Sequence, residues 1–152
     1  MIDMGRALLD TNVLVYAADA DSHLHAAAAR LVDRGLRQRG EFCVAPQNIV
    51  EFAAVVTRAR FVARPMPSSE LKRMGDVLYR SRRLGKIYPR RGTVIRAIRE
   101  GAAMGITGAI WYDLFLAMTM RDAGVEIIVT ENMQDFRRFG FVRAIHIEEA
   151  SA

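Results

Sequence analysis

The sequence predicts an α/β fold, a three-layer α/β/α sandwich on a mainly parallel central sheet. Short apolar runs of strand length alternate with longer segments of helical periodicity. The runs are apolar at consecutive positions, as strands covered on both faces are. Two of them end in polar clusters, Asp10-Thr11-Asn12 and Thr130-Glu131-Asn132, which is where open α/β sheets hold their ligands. With 152 residues, 51% of them hydrophobic, the chain matches one compact domain spanning residues 1–152.

Ala7-Leu8-Leu9 reads as a buried strand that stops at a helix-cap sequence, Asp10-Thr11-Asn12. Val13 to Ala18 continues as helix or strand, and periodicity does not choose between them. Ser22 is placed to cap a helix in which Leu24, Ala27, Ala28, Leu31 and Val32 recur up to Gly35. Phe42 to Ala45 is the second strand. After Pro46, the residues Ile49, Val50, Phe52, Ala53 and Val56 form a helical stripe from Gln47 that encloses Glu51. Pro65 and Pro67 break the chain, and Ser68 or Ser69 restarts a helix with Leu71, Met74, Val77 and Leu78 inward. Lys86-Ile87-Tyr88 is a short strand, Thr93 to Met104 a helix, and Gly101, Gly105 and Gly108 loosen the chain behind it. Ile110 to Ala123 is the next helix, closed by Gly124. Glu126 to Val129 is a β-branched strand ending at Thr130, and Ala144 to Ile147 is the last strand.

No apolar run approaches the roughly 18 residues that span a bilayer, and Met1 to Arg6 lacks a basic-then-apolar export pattern. A cytoplasmic protein without a membrane partner is expected. The single cysteine, Cys43, lies in an apolar stretch and reads as packing. The net charge is +5, and its distribution is uneven. Residues 58–100 hold 13 Lys or Arg against three acids, while the rest of the chain has nine against 14. A basic middle beside acidic ends suits a polyanion brought to a carboxylate site with cations between them. Taken one at a time, these arginines read as solvated helix faces.

The acids carry the chemistry. Glu51 and Asp113 lie inside apolar helical patterns, where an unpaired carboxylate is costly. Singly, each acid has a plain reading: Asp10 a helix cap, Glu51 an exposed helix residue, Asp113 a helix-start acid, Asp135 a surface residue. Together they place carboxylates at strand ends and in apolar helices with no lysine nearby in sequence.

Four blocks occur in order: Leu8-Leu9-Asp10-Thr11-Asn12-Val13-Leu14, then Glu51 in its helix, then Asp113-Leu114 with Ala117, then Thr130-Glu131-Asn132-Met133-Gln134-Asp135-Phe136. In order and spacing they resemble the PIN domain nucleases, and within these the VapC toxins of bacterial toxin–antitoxin pairs, over nearly the whole chain. The resemblance implies a parallel sheet between helices and metal-dependent cleavage of RNA. It matches Asp10, Glu51 and Asp113 to the three principal acids and Asp135 to a fourth, more variable one. Asn12 and Thr130 match polar positions beside the metal. Asn132 stands where many relatives have Asp, so Asn132 and Asp135 both stay open as the last group. The implied cofactor is Mg²⁺ or Mn²⁺, hard cations held by a few carboxylates, waters and substrate phosphate. The expected reaction is in-line hydrolysis to a 5′-phosphate and a 3′-hydroxyl, with Asp10 and Asp113 as main ligands and Glu51 on the water or a second ion. The resemblance further implies an antitoxin partner of the VapB kind, lying across the site, and a toxin homodimer. Arg60 to Pro67, which mixes apolar and basic residues, reads either as part of the antitoxin groove or as a plain loop.

Other classes fit less well. A phosphoaspartyl phosphatase needs a second Asp where Asn12 stands and a later lysine, and no lysine follows Lys86. A phospho-accepting receiver fails on the same lysine. A catalytically degenerate module binding RNA or protein remains the alternative, opposed by retention of all four acids. His23, His25 and His146 do not form a zinc-binding set. The RNA target is not encoded in a motif, although Arg80, Arg82, Arg83, Arg90 and Arg91 are available to phosphates.

Overall fold

The computed structural model describes residues 5–152. Its elements run β1 (Ala7–Leu9), α1 (Thr11–Ala18), α2 (His25–Arg37), β2 (Phe42–Val44), α3 (Pro46–Val56), α4 (Ser68–Arg80), β3 (Gly85–Lys86), α5 (Thr93–Met104), α6 (Ile110–Asp122), β4 (Ile127–Thr130), α7 (Met133–Arg137), β5 (Arg143–His146) and α8 (Ile147–Ser151). The strands make one sheet in the order β3-β2-β1-β4-β5, and each neighbouring pair is parallel. The sheet expected to be mainly parallel is therefore wholly so among the described residues. From β1 the chain steps outward through β2 to β3, then returns to set β4 on the other side of β1. This reversal puts the topological switch point between β1 and β4, the crevice where such sheets open to a ligand.

Side chains alternate across each strand and divide the core in two. Ala7 and Leu9 join Val13, Leu31, Phe42, Phe52 and Leu78 on one face, covered by α1 to α4 and α8. Leu8 joins Cys43, Ala97, Leu114, Met118, Ile128 and Phe136 on the other, covered by α5 to α7. Cys43 is fully buried, with its Sγ 3.6 Å from the Ala7 carbonyl, and burial pushes its thiol up to about 11. Among the described residues no helix is long and apolar enough to cross a membrane.

Several local expectations are revised. Val13 to Ala18 is helical, because Asp10 takes the N-cap position and its Oδ1 accepts the Thr11 N–H at 2.7 Å. Ser22 does not cap α2. Its hydroxyl accepts the Leu24 N–H, and Leu24 itself holds the cap position. The helix continues past Gly35, where a Cβ would sit 3.1 Å from Leu84 Cδ1. In α3 the buried positions are Asn48, Phe52 and Val56, four residues apart, so Val50 falls out of phase and is 70% exposed. Val77 in α4 is 39% exposed while Leu78 is buried. The third strand is Gly85–Lys86, and Tyr88 lies outside it. Ile147 leaves the last strand to open α8, with His146 as its cap. Helices α7 and α8, of five residues each, are too short to show a period.

Gly101 does not loosen the chain. It lies buried within α5, where a Cβ would meet Trp111 Cζ3 at 2.4 Å and Leu114 Cδ2 at 2.8 Å. The bare backbone of α5 is what lets α6 approach. Gly101→Ala is expected to cost about 1–3 kcal/mol by overpacking, read as a fall in urea midpoint. An unchanged midpoint would show that Trp111 moves aside freely.

Candidate active site

Asp10, Thr11, Asn12, Tyr16, Glu51, Phe61, Asp113, Asn132 and Asp135 all line one cavity of about 320 Å³. It opens at the switch point, where β1 hands over to α1 and β4 ends at Thr130. Asp10 comes from the β1–α1 junction, Glu51 from α3, Asp113 from the first turn of α6, and Asp135 from α7. The structure thus brings together six of the seven candidate residues in the cavity lining. The seventh, Thr130, lies fully buried beneath it and donates from its hydroxyl to Asp10 Oδ2 at 2.7 Å.

Polar contacts hold these groups in place. The Asn12 amide donates to Asp10 Oδ2 at 3.3 Å and to Thr130 Oγ1 at 3.1 Å. Its Oδ1 accepts the Glu131 N–H at 3.3 Å, and the Thr130 hydroxyl oxygen accepts the Asn132 N–H at 3.1 Å. Both oxygens of Glu51 are engaged, Oε2 by the Thr11 hydroxyl at 2.9 Å and Oε1 by the Gln47 amide at 2.8 Å. Gln47 Nε2 also reaches the Tyr112 carbonyl at 3.1 Å, linking α3 to the start of α6.

Three of these supports were not picked out from the sequence. Asn48 is fully buried, donates to Thr11 Oγ1 at 3.3 Å and accepts the Ala45 N–H at 2.9 Å. Its signal was a polar residue four before Phe52, in phase with the buried stripe. Gln47 carried the weaker signal of a long amide at i, i−4 to Glu51 on one helix face. Glu131, which accepts from the Tyr16 hydroxyl, lies in the polar cluster after the fourth strand, but no local pattern points to this role, because its partner is 115 residues away. The histidines stay outside: the His25 ring bonds the Tyr16 carbonyl, and His146 caps α8.

Electrostatics follow from this crowding. Burial raises the Asp10 carboxyl to about 6, with Thr130 and Thr11 opposing and the charges of Glu51 and Asp135 adding to the rise. Burial also raises Asp113 to about 7, followed by repulsion from Asp135, Asp10 and Glu51, with Arg138 opposing. Four carboxylates that repel one another, with no Lys, Arg or His among the cavity-lining residues, are the donor chemistry of a hard divalent cation. Among the described residues no three ligating side chains already enclose a common point. The donor set still fits Mg²⁺, which is held through one or two carboxylates and keeps several waters.

Comparison with known proteins agrees with this architecture. The PIN domain family model matches residues 7–142. Ribonuclease VapC24 of Mycobacterium tuberculosis is 31% identical over 137 residues, which cover 89% of this chain and 92% of that protein. The chain belongs to the PIN domain family and, within it, to the VapC type. Solved structures share the fold at lower identity. VapBC-1 from nontypeable Haemophilus influenzae has a TM-score of 0.62 at 14% identity, covering 93% of this chain and 98% of its own. A toxin–antitoxin complex from Klebsiella pneumoniae has a TM-score of 0.58 at 13% identity, covering 90% and 95%.

Proposed function

We propose that this chain is the toxin of a toxin–antitoxin pair, an endoribonuclease that hydrolyses RNA phosphodiesters with Mg²⁺ or Mn²⁺. The observation that carries this reading is the set of four mutually repelling carboxylates lining one cavity at the sheet's switch point, in a chain 31% identical to a named ribonuclease. Asp10 and Asp113 would be the principal holders of the cation, with Asp135 beside them in the cavity lining, and Asn12, Thr130 and Asn132 keep Asp10 and the β4 end in register. A divalent cation bound there supplies positive charge to the scissile phosphate and makes a water more acidic.

Glu51, fixed through both oxygens by Thr11 and Gln47, orients the attacking water and accepts its proton. The water oxygen bonds to phosphorus as the bond to the 3′ oxygen breaks, and the 3′ oxygen takes a proton from solvent, leaving a 5′-phosphate and a 3′-hydroxyl. The exposed apolar face formed by Val94, Ile98 and Tyr112 on α5 and α6 supports self-association as a homodimer. The VapBC and toxin–antitoxin structures of the same fold support an antitoxin of the VapB kind as partner. The place of action is the cytoplasm, where RNA is available.

The test is cleavage of a labelled structured RNA by the purified protein with Mg²⁺, Mn²⁺ or chelator. Cleavage in either metal and none in chelator is expected. Equal cleavage in chelator, or none in either metal, refutes the assignment.

A further inference from the structure

We infer that Phe61, flanked by Arg58 and Arg60, is a stacking platform that seats an unpaired base of the substrate at the mouth of the carboxylate cavity. The inference rests on the ribonuclease reading and deepens it by naming the residue that receives a base of the substrate beside the scissile bond.

Phe61 lies in the α3–α4 connection and lines the same cavity as Asp10, Glu51, Asp113 and Asp135, yet it is 51% exposed. The next residue, Val62, is 5% exposed and anchors the loop in the core. Both the Phe61 and the Val62 N–H groups bond the Arg58 carbonyl, at 3.0 and 3.3 Å. The turn is therefore closed, with its aliphatic residue inward and its aromatic ring outward. This arrangement forgoes the gain of burying a large apolar side chain, so the exposed ring asks for a use.

The arginines suggest the use. The guanidinium carbons of Arg58 and Arg60 lie 5.5 and 5.6 Å from the ring centroid, within cation–π range, and both residues are exposed. They set two positive charges at the rim of a cavity whose lining charges are all negative. A polynucleotide entering an acidic pocket needs both features, cations to offset its phosphates and a flat surface for a base. Sites for single strands combine arginine with aromatic rings for this reason, since every base has a π-face. Bases in a duplex are already stacked and cannot use the ring. On binding, the base takes one face of Phe61 and the displaced guanidinium pairs with a phosphate. Arg138, whose charge acts on Asp113, offers a further phosphate contact.

The test measures binding without turnover. In an Asp113→Asn background with Mg²⁺, fluorescence anisotropy gives the affinity for an unstructured oligoribonucleotide and for a duplex of equal length. Phe61→Leu, which keeps apolar bulk, is expected to weaken single-strand binding about tenfold, to leave duplex binding unchanged and to preserve the melting temperature. Phe61→Trp is expected to retain single-strand affinity. Unchanged single-strand binding in Phe61→Leu, an equal loss for the duplex, or no single-strand binding by the parent protein overturns the proposal; the first result returns the ring to a protein contact. If Phe61→Leu loses single strands but the otherwise unmodified protein cleaves no RNA, the platform stands and the nuclease reading fails.

Discussion

Asp113→Asn is expected to abolish RNA cleavage and, in the absence of divalent metal, to raise the melting temperature. The loss follows from the role proposed for Asp113, as one of two principal anionic groups that would face the scissile phosphate through the cation. Several kcal/mol of transition-state stabilisation depend on such a site, so the rate should fall on the order of a thousandfold or more. The gain in stability follows from the same charge. Asp113 is held up to about 7 and Asp10 to about 6, against an ordinary value of 3.8, by burial and by neighbouring carboxylates. Between 3.8 and those values the folded state binds protons that the unfolded chain has released. The two groups thus carry no penalty below about pH 4, and the penalty grows as pH rises until it is complete above about pH 7. Asparagine at 113 has no charge to bury at any pH. Melts in chelator at pH 5 and pH 8 should show the variant's advantage widening at the higher pH. A variant that cleaves like the parent, or that melts lower at pH 8, would refute the role given to this residue.

The second large effect is stabilisation by the cation. An ion that binds only the folded state at 100 times its dissociation constant adds about 2.7 kcal/mol, or roughly 5–10 °C for a domain of this size. Mg²⁺ or Mn²⁺ should raise the melting temperature by that amount, and sodium chloride at equal ionic strength should not. Asp10→Asn is the appropriate control. Asparagine can still cap α1 at the position where Asp10 accepts the Thr11 N–H, so the fold should persist while one of the carboxylates proposed to hold the cation is lost. The metal shift should shrink to a small fraction in this variant. An equal shift in both proteins would put the cation somewhere other than the carboxylate cavity.

Most of the sheet and its large helices were legible from sequence because they report themselves locally. Thr93–Met104 was delimited to the residue, and the polar clusters after β1 and β4 pointed to the end of the sheet that carries the cavity. Features held by distant partners were not legible. Asn48 breaks the apolar stripe of α3 and still is fully buried, since its amide serves Thr11, 37 residues away. Gly101 looked like a breaker because close helix approach and chain loosening leave the same mark in a sequence. The ordering of the four acids along the chain was readable, but the hydrogen bonds that hold Glu51 by both oxygens were not. They depend on how α1 and α3 pack, which no local pattern records.

Gln47 gives the site a mechanical character. Its amide joins Glu51 on α3 to the Tyr112 carbonyl on α6, and these helices belong to layers on opposite faces of the sheet. The carboxylates are therefore contributed from both sides of a seam, and the span between them depends on two separately packed cores. A slackening of either core lets its layer slip and separates Glu51 from Asp113 while the strands stay paired. Chemistry should thus fail at a milder perturbation than unfolding does, and amide exchange at the first turns of α3 and α6 should report that earlier event.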